Sequence, residues 1–433
     1  MDIQGRYESK VQKIGLSCDA FSTGCLVMCL LLFVPYVANN GGVTVMWFIP
    51  IACLMPFALM PLVYLGIHKF DTLLFGRYHF VMPVSAFLAS PFFVMAWSAR
   101  GVGASQACLV FFGMLVFAVT VMVYRYCAFS VRSRLTGTNI VDKAPYYELI
   151  CAIGCVAAVV TFAGFMYYDG ETAFVNTAYV MAGVSVLIAI AQYLLTFYGI
   201  PRLGGRRTLS VKAAYGSFYS ELDKKLYFSI LCFESAFAAV AVLFVYFGVI
   251  LGVGLYGVIG IAAAIVVSYG VSAVACSRYI TRRSIYLSLF SFLGIALSSL
   301  VAIILASVGA GGNGALAGII ISAVIAGAGG AVSMRQSKLR FLTVKPRITS
   351  GTVFILSELT TFAAAGVALF VAAFVITLFD YVNSVAAFIL GFGIAVVLGI
   401  VAFALSTKKR TPRPSAVPVT VESEESDDDG DAQ

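Results

Sequence analysis

Charged residues are scarce in this sequence. Asp, Glu, Lys and Arg make up 11% of its 433 residues, whereas soluble globular domains carry about 25%. Apolar residues reach 61%. So few charges cannot cover a folded surface in water, which excludes an ordinary soluble protein and indicates an integral membrane protein.

Residues that hold metals, disulfides or catalytic centres are also few or badly spaced. The two histidines of the sequence are His68 and His79, and its ten cysteines form no CxxC pair. The cysteines fall in or at the ends of apolar runs, which is typical of small packing residues in a membrane interior. No phosphate-binding loop and no nucleophile beside a base can be recognised. The sequence therefore predicts no cofactor, no metal site and no enzymatic activity.

Long apolar runs dominate the chain instead. A helix that crosses the hydrocarbon core of a bilayer needs roughly 20 apolar residues, and twelve runs reach that length. The predicted fold is therefore all-α, with twelve transmembrane helices in two six-helix halves. The predicted spans lie near residues 14–37, 44–67, 80–98, 105–126, 146–167, 173–198, 226–250, 252–276, 285–310, 314–334, 348–378 and 382–405.

Positive charge is concentrated on one predicted side of the membrane. When the loops are assigned alternately to the two sides, 27 of the 28 Lys and Arg residues share one side, and Arg100 falls on the other. Cytoplasmic loops are enriched in Lys and Arg, so both termini are predicted to be cytoplasmic. The first apolar run has no A-x-A-like cleavage site, so we expect it to be retained. We expect a multi-pass protein of a cell membrane, with a bacterial cytoplasmic membrane favoured.

A long polar segment divides the chain near its middle. Residues 199–225 carry six basic residues and are predicted to form a cytoplasmic hinge between an N-terminal half, 1–198, and a C-terminal half, 226–406. Beyond them, residues 407–433 change from basic to Pro-rich to acidic. This composition cannot bury enough apolar area to become ordered, which predicts a disordered cytoplasmic tail.

The loop after the second span carries a motif. Asp71 is followed, after four residues, by Gly76 and Arg77, which resembles the D-x-x-x-G-R-[RK] loop of the major facilitator superfamily with one extra residue. The equivalent loop of the second half keeps a basic pair, Arg282 and Arg283. Glycine permits a tight turn, and the charged side chains can pair or cap helix ends. The resemblance implies two related halves, a solute site between them and a conformational gate at these loops.

Within that superfamily, the chain resembles the glycoside/pentoside/hexuronide:cation symporters, the melibiose permease family. Gly76, Arg77, Tyr78 and His79 lead straight into an apolar span, similar to the W-G-[RK]-[FY]-[RK]-P junction of those symporters. The resemblance implies a sugar or glycoside as the solute. Those symporters bind Na⁺ or H⁺ with carboxylates in the second and fourth spans. The second span of this chain has no acid, and Arg125 stands in the fourth, so we expect H⁺ rather than Na⁺ as the coupling ion.

Ionisable residues inside apolar spans are candidates for solute or proton binding, because each costs roughly 2.5–3.5 kcal/mol to insert. Arg125 and Glu148 could face each other across the fourth-to-fifth loop, as part of the site or as a structural ion pair. Polar residues such as Trp47, Tyr124, Tyr269 and Gln192 could hydrogen-bond a sugar, or could belong to interfacial aromatic belts. The five candidates are Asp19, Arg125, Glu148, Glu234 and Glu358.

These features favour a secondary active transporter that moves a small polar solute by alternating access. Two alternatives stay open: a non-transporting membrane scaffold or sensor with the same fold, and a lipid-linked glycan flippase. The expected partners are a small-molecule solute, protons and membrane lipid, and the expected oligomeric state is a monomer. The basic residues are spread over many loops, so no nucleic-acid-binding surface is expected.

Overall fold

The described part of the chain is helical throughout, apart from short turns. The computed structural model describes residues 10–40, 47–56, 58–59, 77–98, 103–136, 140–168, 172–196, 224–250, 254–279, 284–308, 313–343, 350–379 and 384–407, and there is no strand among them. Eleven helices in these ranges are long and apolar enough to cross a membrane, and one shorter apolar helix lies between the first two. The predicted all-α membrane fold is confirmed.

We number the helices by their order as spans. A short helix, Lys10–Gly15, leads into the first of them. The twelve are α1 Cys18–Asn40, α2 Trp47–Pro56, α3 Arg77–Ser98, α4 Ala104–Thr136, α5 Ile140–Tyr168, α6 Ala173–Thr196, α7 Lys224–Ile250, α8 Gly254–Tyr279, α9 Ser284–Val308, α10 Asn313–Thr343, α11 Ser350–Phe379 and α12 Ser384–Thr407.

Two helices run well past their predicted ends. α4 was expected to stop at residue 126 and continues to Thr136, and α10 was expected to stop at 334 and continues to Thr343. At 1.5 Å per residue, each is about 46–50 Å long, whereas the hydrocarbon core is only about 30 Å thick. The apolar run marks where the membrane ends, and the helix continues through polar residues that water can solvate.

The two sets of six helices pack in the same pattern. In the first set, α3 packs on α4 and α6, and α5 packs on α1. In the second set, α9 packs on α10 and α12, and α11 packs on α7. Matching pairs at matching positions are what two related repeats produce. The predicted hinge lies outside the described residues except for Lys224 and Lys225, which begin α7, and the predicted tail lies outside them except for Thr407.

Two glycines bring α1 and α5 into backbone contact. A Cβ atom added to Gly24 would lie 1.9 Å from the carbonyl oxygen of Cys151, and one added to Gly154 would lie 2.2 Å from the carbonyl oxygen of Phe21. Real Cβ atoms do not approach other atoms so closely, so both positions require glycine. Small residues allow membrane helices to pack this tightly.

Reciprocal thiol hydrogen bonds accompany this crossing. The thiol of Cys25 on α1 donates to the carbonyl oxygen of Gly154 at 3.4 Å, and the thiol of Cys155 on α5 donates to the carbonyl oxygen of Gly24 at 3.1 Å. Each cysteine directly follows the glycine that its partner helix contacts. The cysteines thus act as packing residues at the α1–α5 crossing.

Helices α2 and α11 join the two sets at the membrane side predicted to be non-cytoplasmic. Trp47 Nε1 donates a hydrogen bond to Thr377 Oγ1 at 3.1 Å, and the Trp47 ring meets Phe370 edge-on with centroids 5.0 Å apart. One turn before Phe370, Gly366 makes room for Leu54, because an added Cβ would lie 2.8 Å from Leu54 Cγ. This contact joins the two sets at that end of their interface.

Replacing Trp47 with Phe is expected to loosen this contact, because the ring contact can persist while the hydrogen bond is lost. A net loss of about 1 kcal/mol corresponds to roughly a fivefold shift toward separation of α2 and α11. Cys53 on α2 is 4% exposed, so its alkylation by a membrane-permeant maleimide should accelerate by that factor, measured by peptide mass spectrometry.

The matched control for this experiment is Tyr179→Phe. It removes a Tyr179–Ser98 hydrogen bond of 2.6 Å that lies between α6 and α3, away from α2. Cys108 is exposed and serves as an internal reference for reagent activity. If Trp47→Phe leaves the Cys53 alkylation rate at the control value, the Trp47 hydrogen bond does not hold the interface closed.

Candidate functional site

Polar side chains from both sets of helices meet inside the bundle. We define the central polar cluster as Arg125, Glu148, Glu234, Tyr269 and Thr361. The Tyr269 hydroxyl donates a hydrogen bond to Glu148 Oε2, and Thr361 Oγ1 donates one to Glu234 Oε2 at 3.3 Å. Arg125 and Glu234 both act electrostatically on Tyr269. Five helices, α4, α5, α7, α8 and α11, thus contribute to one cluster.

The depth of the cluster follows from the distance to the nearest basic residue on each helix. The separation along the helix from the nearest other basic residue is five to nine residues for Arg125, Glu148, Glu234 and Tyr269. This corresponds to about 8–14 Å. Half of the hydrocarbon core is about 15 Å. The cluster therefore lies within the membrane, in the half predicted to be cytoplasmic. The basic residues used for these four separations are, in the same order, Arg132, Lys143, Lys225 and Arg278.

Close packing of α5 and α8 brings Tyr269 to Glu148. A Cβ added to the next residue, Gly270, would lie 2.8 Å from Ala152 Cβ, so α8 sits directly on α5 there. Ala152 is one helical turn after Glu148 and shares its face of α5. The glycine thus sets the helix separation at which the tyrosine hydroxyl reaches the carboxylate.

Burial makes the electrostatics of the cluster costly. Glu234 is 8% exposed, whereas Arg125, Glu148, Tyr269 and Thr361 are half-buried. An ionised group in a membrane costs roughly 2.5–3.5 kcal/mol, and a hydrogen bond to a charged group returns about 1.5–3 kcal/mol. The cluster pairs two carboxylates with one guanidinium, an arrangement able to accept a proton or hydrogen-bond a polar solute.

A second polar pair lies beside the cluster. The Tyr124 hydroxyl donates to Gln192 Oε1 at 2.7 Å, and both side chains are almost completely buried. Among the described residues, Gln192 Nε2 has no hydrogen-bond partner. The bond links α4 to α6 one residue before Arg125.

Asp19 is the described candidate on α1. It lies in the first turn of α1 and is 6% exposed, after a break in the helix where Ser17 Oγ donates to the Lys13 carbonyl oxygen at 2.9 Å. An acid in the first turn is stabilised by the helix dipole, typically by about 0.3–1 kcal/mol. Its predicted role in solute or proton binding stays a prediction.

Several predicted residues cannot be placed in the site. Glu358 lies on α11, but its side chain is outside the described residues. The gate residues Asp71, Gly76, Arg282 and Arg283 lie outside them entirely, and of Arg77 only its position as the first residue of α3 is described. The predicted gate therefore stays a prediction.

Among the cluster residues, sequence reasoning missed Thr361. A single threonine in an apolar span has no distinguishing pattern, because threonine commonly bonds its own helix backbone there. Its role emerges only when α7 and α11 are placed side by side. The acid three residues earlier on α11, Glu358, marked the correct helix but not this residue.

Neither a family model nor a curated relative matches the sequence, whereas solved structures do. A variant of the nucleoside transporter NupG is 17% identical with a TM-score of 0.64, over 91% of this chain and 99% of that one. A bacterial homologue of the human lysosomal transporter Spinster is 13% identical with a TM-score of 0.60, over 93% and 98%. The Escherichia coli fucose:proton symporter FucP is 12% identical with a TM-score of 0.54, over 92% and 96%.

Identities of 12–17% support conclusions about the fold and no more. The closer resemblance to the melibiose permease family therefore stays a prediction. Near-complete coverage of both chains shows that the similarity extends through both sets of six helices. The chain has the all-α membrane fold of the major facilitator superfamily transporters.

Proposed function

We propose that this protein is a secondary transporter that moves a small polar solute by alternating access, coupled to protons. The observation that carries the proposal is the central polar cluster, which is built by helices of both sets within the membrane. Such ionisable groups are costly in a membrane and commonly mark solute or proton pathways. The similar structures are named as transporters of nucleosides and of fucose with protons, which supports the same general activity here.

The composition of the cluster favours a polar solute and a proton. Hydroxyl, carboxylate and guanidinium groups can replace the water around a solute rich in hydroxyl groups, and a sugar or glycoside has that chemistry. A proton fits the two carboxylates better than Na⁺ does, because a hard cation takes several oxygen ligands at once. Within the described residues, no group of three metal-ligating side chains occurs.

The proposed transport cycle depends on two contacts between the sets, one toward each side of the membrane. The α2–α11 contact at Trp47 and the α5–α8 contact at Tyr269 lie toward opposite membrane sides. Alternating access requires one side to open while the other stays closed. In this proposal, both termini are cytoplasmic, the protein works as a monomer in a cell membrane, and solute reaches the cluster from either side.

Uptake by proteoliposomes tests the proposal. Vesicles with an acidic exterior should accumulate at least one radiolabelled solute from a panel of sugars, glycosides, uronates and nucleosides, and collapse of the pH gradient should stop accumulation. Protein-free vesicles and vesicles with a Na⁺ gradient are the controls. Accumulation driven by Na⁺ alone would contradict proton coupling, and uptake equal to that of protein-free vesicles for the whole panel would favour the scaffold or flippase alternatives.

A further inference from the structure

One hydroxyl group connects the two sets of helices within the cluster. Tyr269 lies on α8 of the second set and donates its hydrogen bond to Glu148 on α5 of the first. It also experiences the charges of Glu234 on α7 and Arg125 on α4. Tyr269 is therefore the point at which the carboxylates of both sets act on one group.

This hydrogen bond lies in a close contact between the sets. Gly270 places α8 against Ala152 and Leu149 of α5, immediately beside the Tyr269–Glu148 pair. Any movement that separates α5 from α8 must break the bond. The bond therefore contributes to the closed arrangement and is absent from the open one.

The strength of the bond depends on the charge of Glu148. A hydrogen bond to an ionised acceptor is roughly twice as strong as one to a neutral acceptor. The closed arrangement thus stabilises ionised Glu148, and by linkage a proton binds preferentially to the open arrangement. Lowering the pH should therefore favour separation of α5 from α8.

We propose that Tyr269 is a positioning residue that makes the closure of α5 on α8 depend on the protonation of Glu148. The inference rests on the proposed function and assigns the proton of that cycle to a residue and a movement. Tyr269 acts through Glu148 and needs no contact with the solute.

Other titratable or charged groups lie on α5 itself and on the helices near it. A nearby guanidinium such as that of Arg125 disfavours protonation of a carboxylate, whereas a second carboxylate such as that of Glu234 favours it. The thiols nearby exert weaker effects because they are neutral when buried. These titratable or charged groups include Asp19, Cys25 and Cys29 on α1, Arg125 on α4, Cys151 and Cys155 on α5, Tyr193 on α6, Glu234 on α7, Tyr269 on α8 and Arg335 on α10.

Hydrogen exchange of the full-length protein in nanodiscs tests the proposal without a known solute. Backbone exchange is measured at pH 5 and pH 8, corrected for the intrinsic pH dependence, on peptides from residues 140–168 and 254–279. In the unmodified protein, the corrected exchange should be roughly tenfold faster at pH 5. In Tyr269→Phe and in Glu148→Gln, it should be fast at both pH values, and the double variant should add nothing further.

Tyr179→Phe is the matched control, since it removes a tyrosine hydrogen bond within the first set. It should keep the pH response. The proposal is overturned if Tyr269→Phe keeps the response, if Tyr179→Phe loses it equally, or if exchange in Tyr269→Phe rises uniformly, including in residues 384–407. Because the readout is helix separation rather than uptake, failure here would leave the transport proposal intact, and absent uptake would leave this result interpretable.

Discussion

Replacing Gly24 with alanine should destabilise the protein by at least about 3 kcal/mol, at the upper end of the cost of overpacking. The added methyl group would lie 1.9 Å from the carbonyl oxygen of Cys151. A backbone atom cannot rotate away as a side chain can, so α1 and α5 must move apart. That movement also breaks the thiol hydrogen bonds of Cys25 and Cys155 across the crossing.

Thermal unfolding of the purified protein in detergent measures this effect. Gly183→Ala is the matched control, because Gly183 also lies within a helix, α6, but a Cβ there would meet no atom within 4 Å. Alanine is favoured over glycine in a helix by up to about 1 kcal/mol, so the control should be unchanged or slightly more stable. Equal melting temperatures for the two variants would show that the crossing can relax without cost.

Replacing Arg125 with Gln should reduce proton-driven uptake by about 60- to 300-fold. The change leaves Glu148 and Glu234 as an excess of negative charge near Tyr269, and an uncompensated charge in the membrane costs roughly 2.5–3.5 kcal/mol, which converts to that factor at 1.4 kcal/mol per tenfold. Initial uptake rates in proteoliposomes, with whichever solute the panel identifies, provide the measurement.

Three further variants test whether the loss of uptake in Arg125→Gln comes from the changed charge balance of the cluster. Arg125→Lys keeps the charge but loses the planar guanidinium, so it should retain part of the uptake. Arg125→Gln combined with Glu148→Gln should recover thermal stability without proton coupling. Arg335→Gln alters a half-buried arginine on α10 that acts on Cys276, and it should leave uptake nearly unchanged. Uptake of Arg125→Gln at the Arg335→Gln level would contradict a role for the cluster.

The fold was predictable because membrane-spanning helices can be recognised in a sequence by their length and hydropathy. The span predicted at 173–198 corresponds to α6 at Ala173–Thr196, and that predicted at 285–310 corresponds to α9 at Ser284–Val308. Every backbone group in lipid must be bonded within its helix, so an apolar run of this length has few alternatives. The extension of α4 to Thr136 was missed because that segment contains polar and basic residues, so it is not part of the apolar run from which the span was predicted.

The site was predictable only in part. Arg125, Glu148 and Glu234 stood out because charged residues are costly in apolar spans. Together with Glu358 on α11, they marked four of the five helices of the cluster. Which of them meet depends on the rotation and tilt of each helix, which the residue types alone do not determine. Tyr269 was one of several polar aromatic residues, and its distinction comes from Gly270, whose missing side chain lets α8 approach α5.

Helix α5 packs against its neighbours in two different ways, through backbone atoms on one face and through side chains on the other. Toward α1, the atoms nearest to an added Gly24 Cβ belong to the backbone of Cys151, whereas toward α8 the atoms nearest to an added Gly270 Cβ belong to the side chains of Ala152 and Leu149. Backbone atoms in contact cannot rearrange, whereas side chains can change conformation and allow one helix to slide or roll on the other. Helices α1 and α5 should therefore move together as one rigid unit, and α8 should move relative to that unit at the surface where it packs on α5.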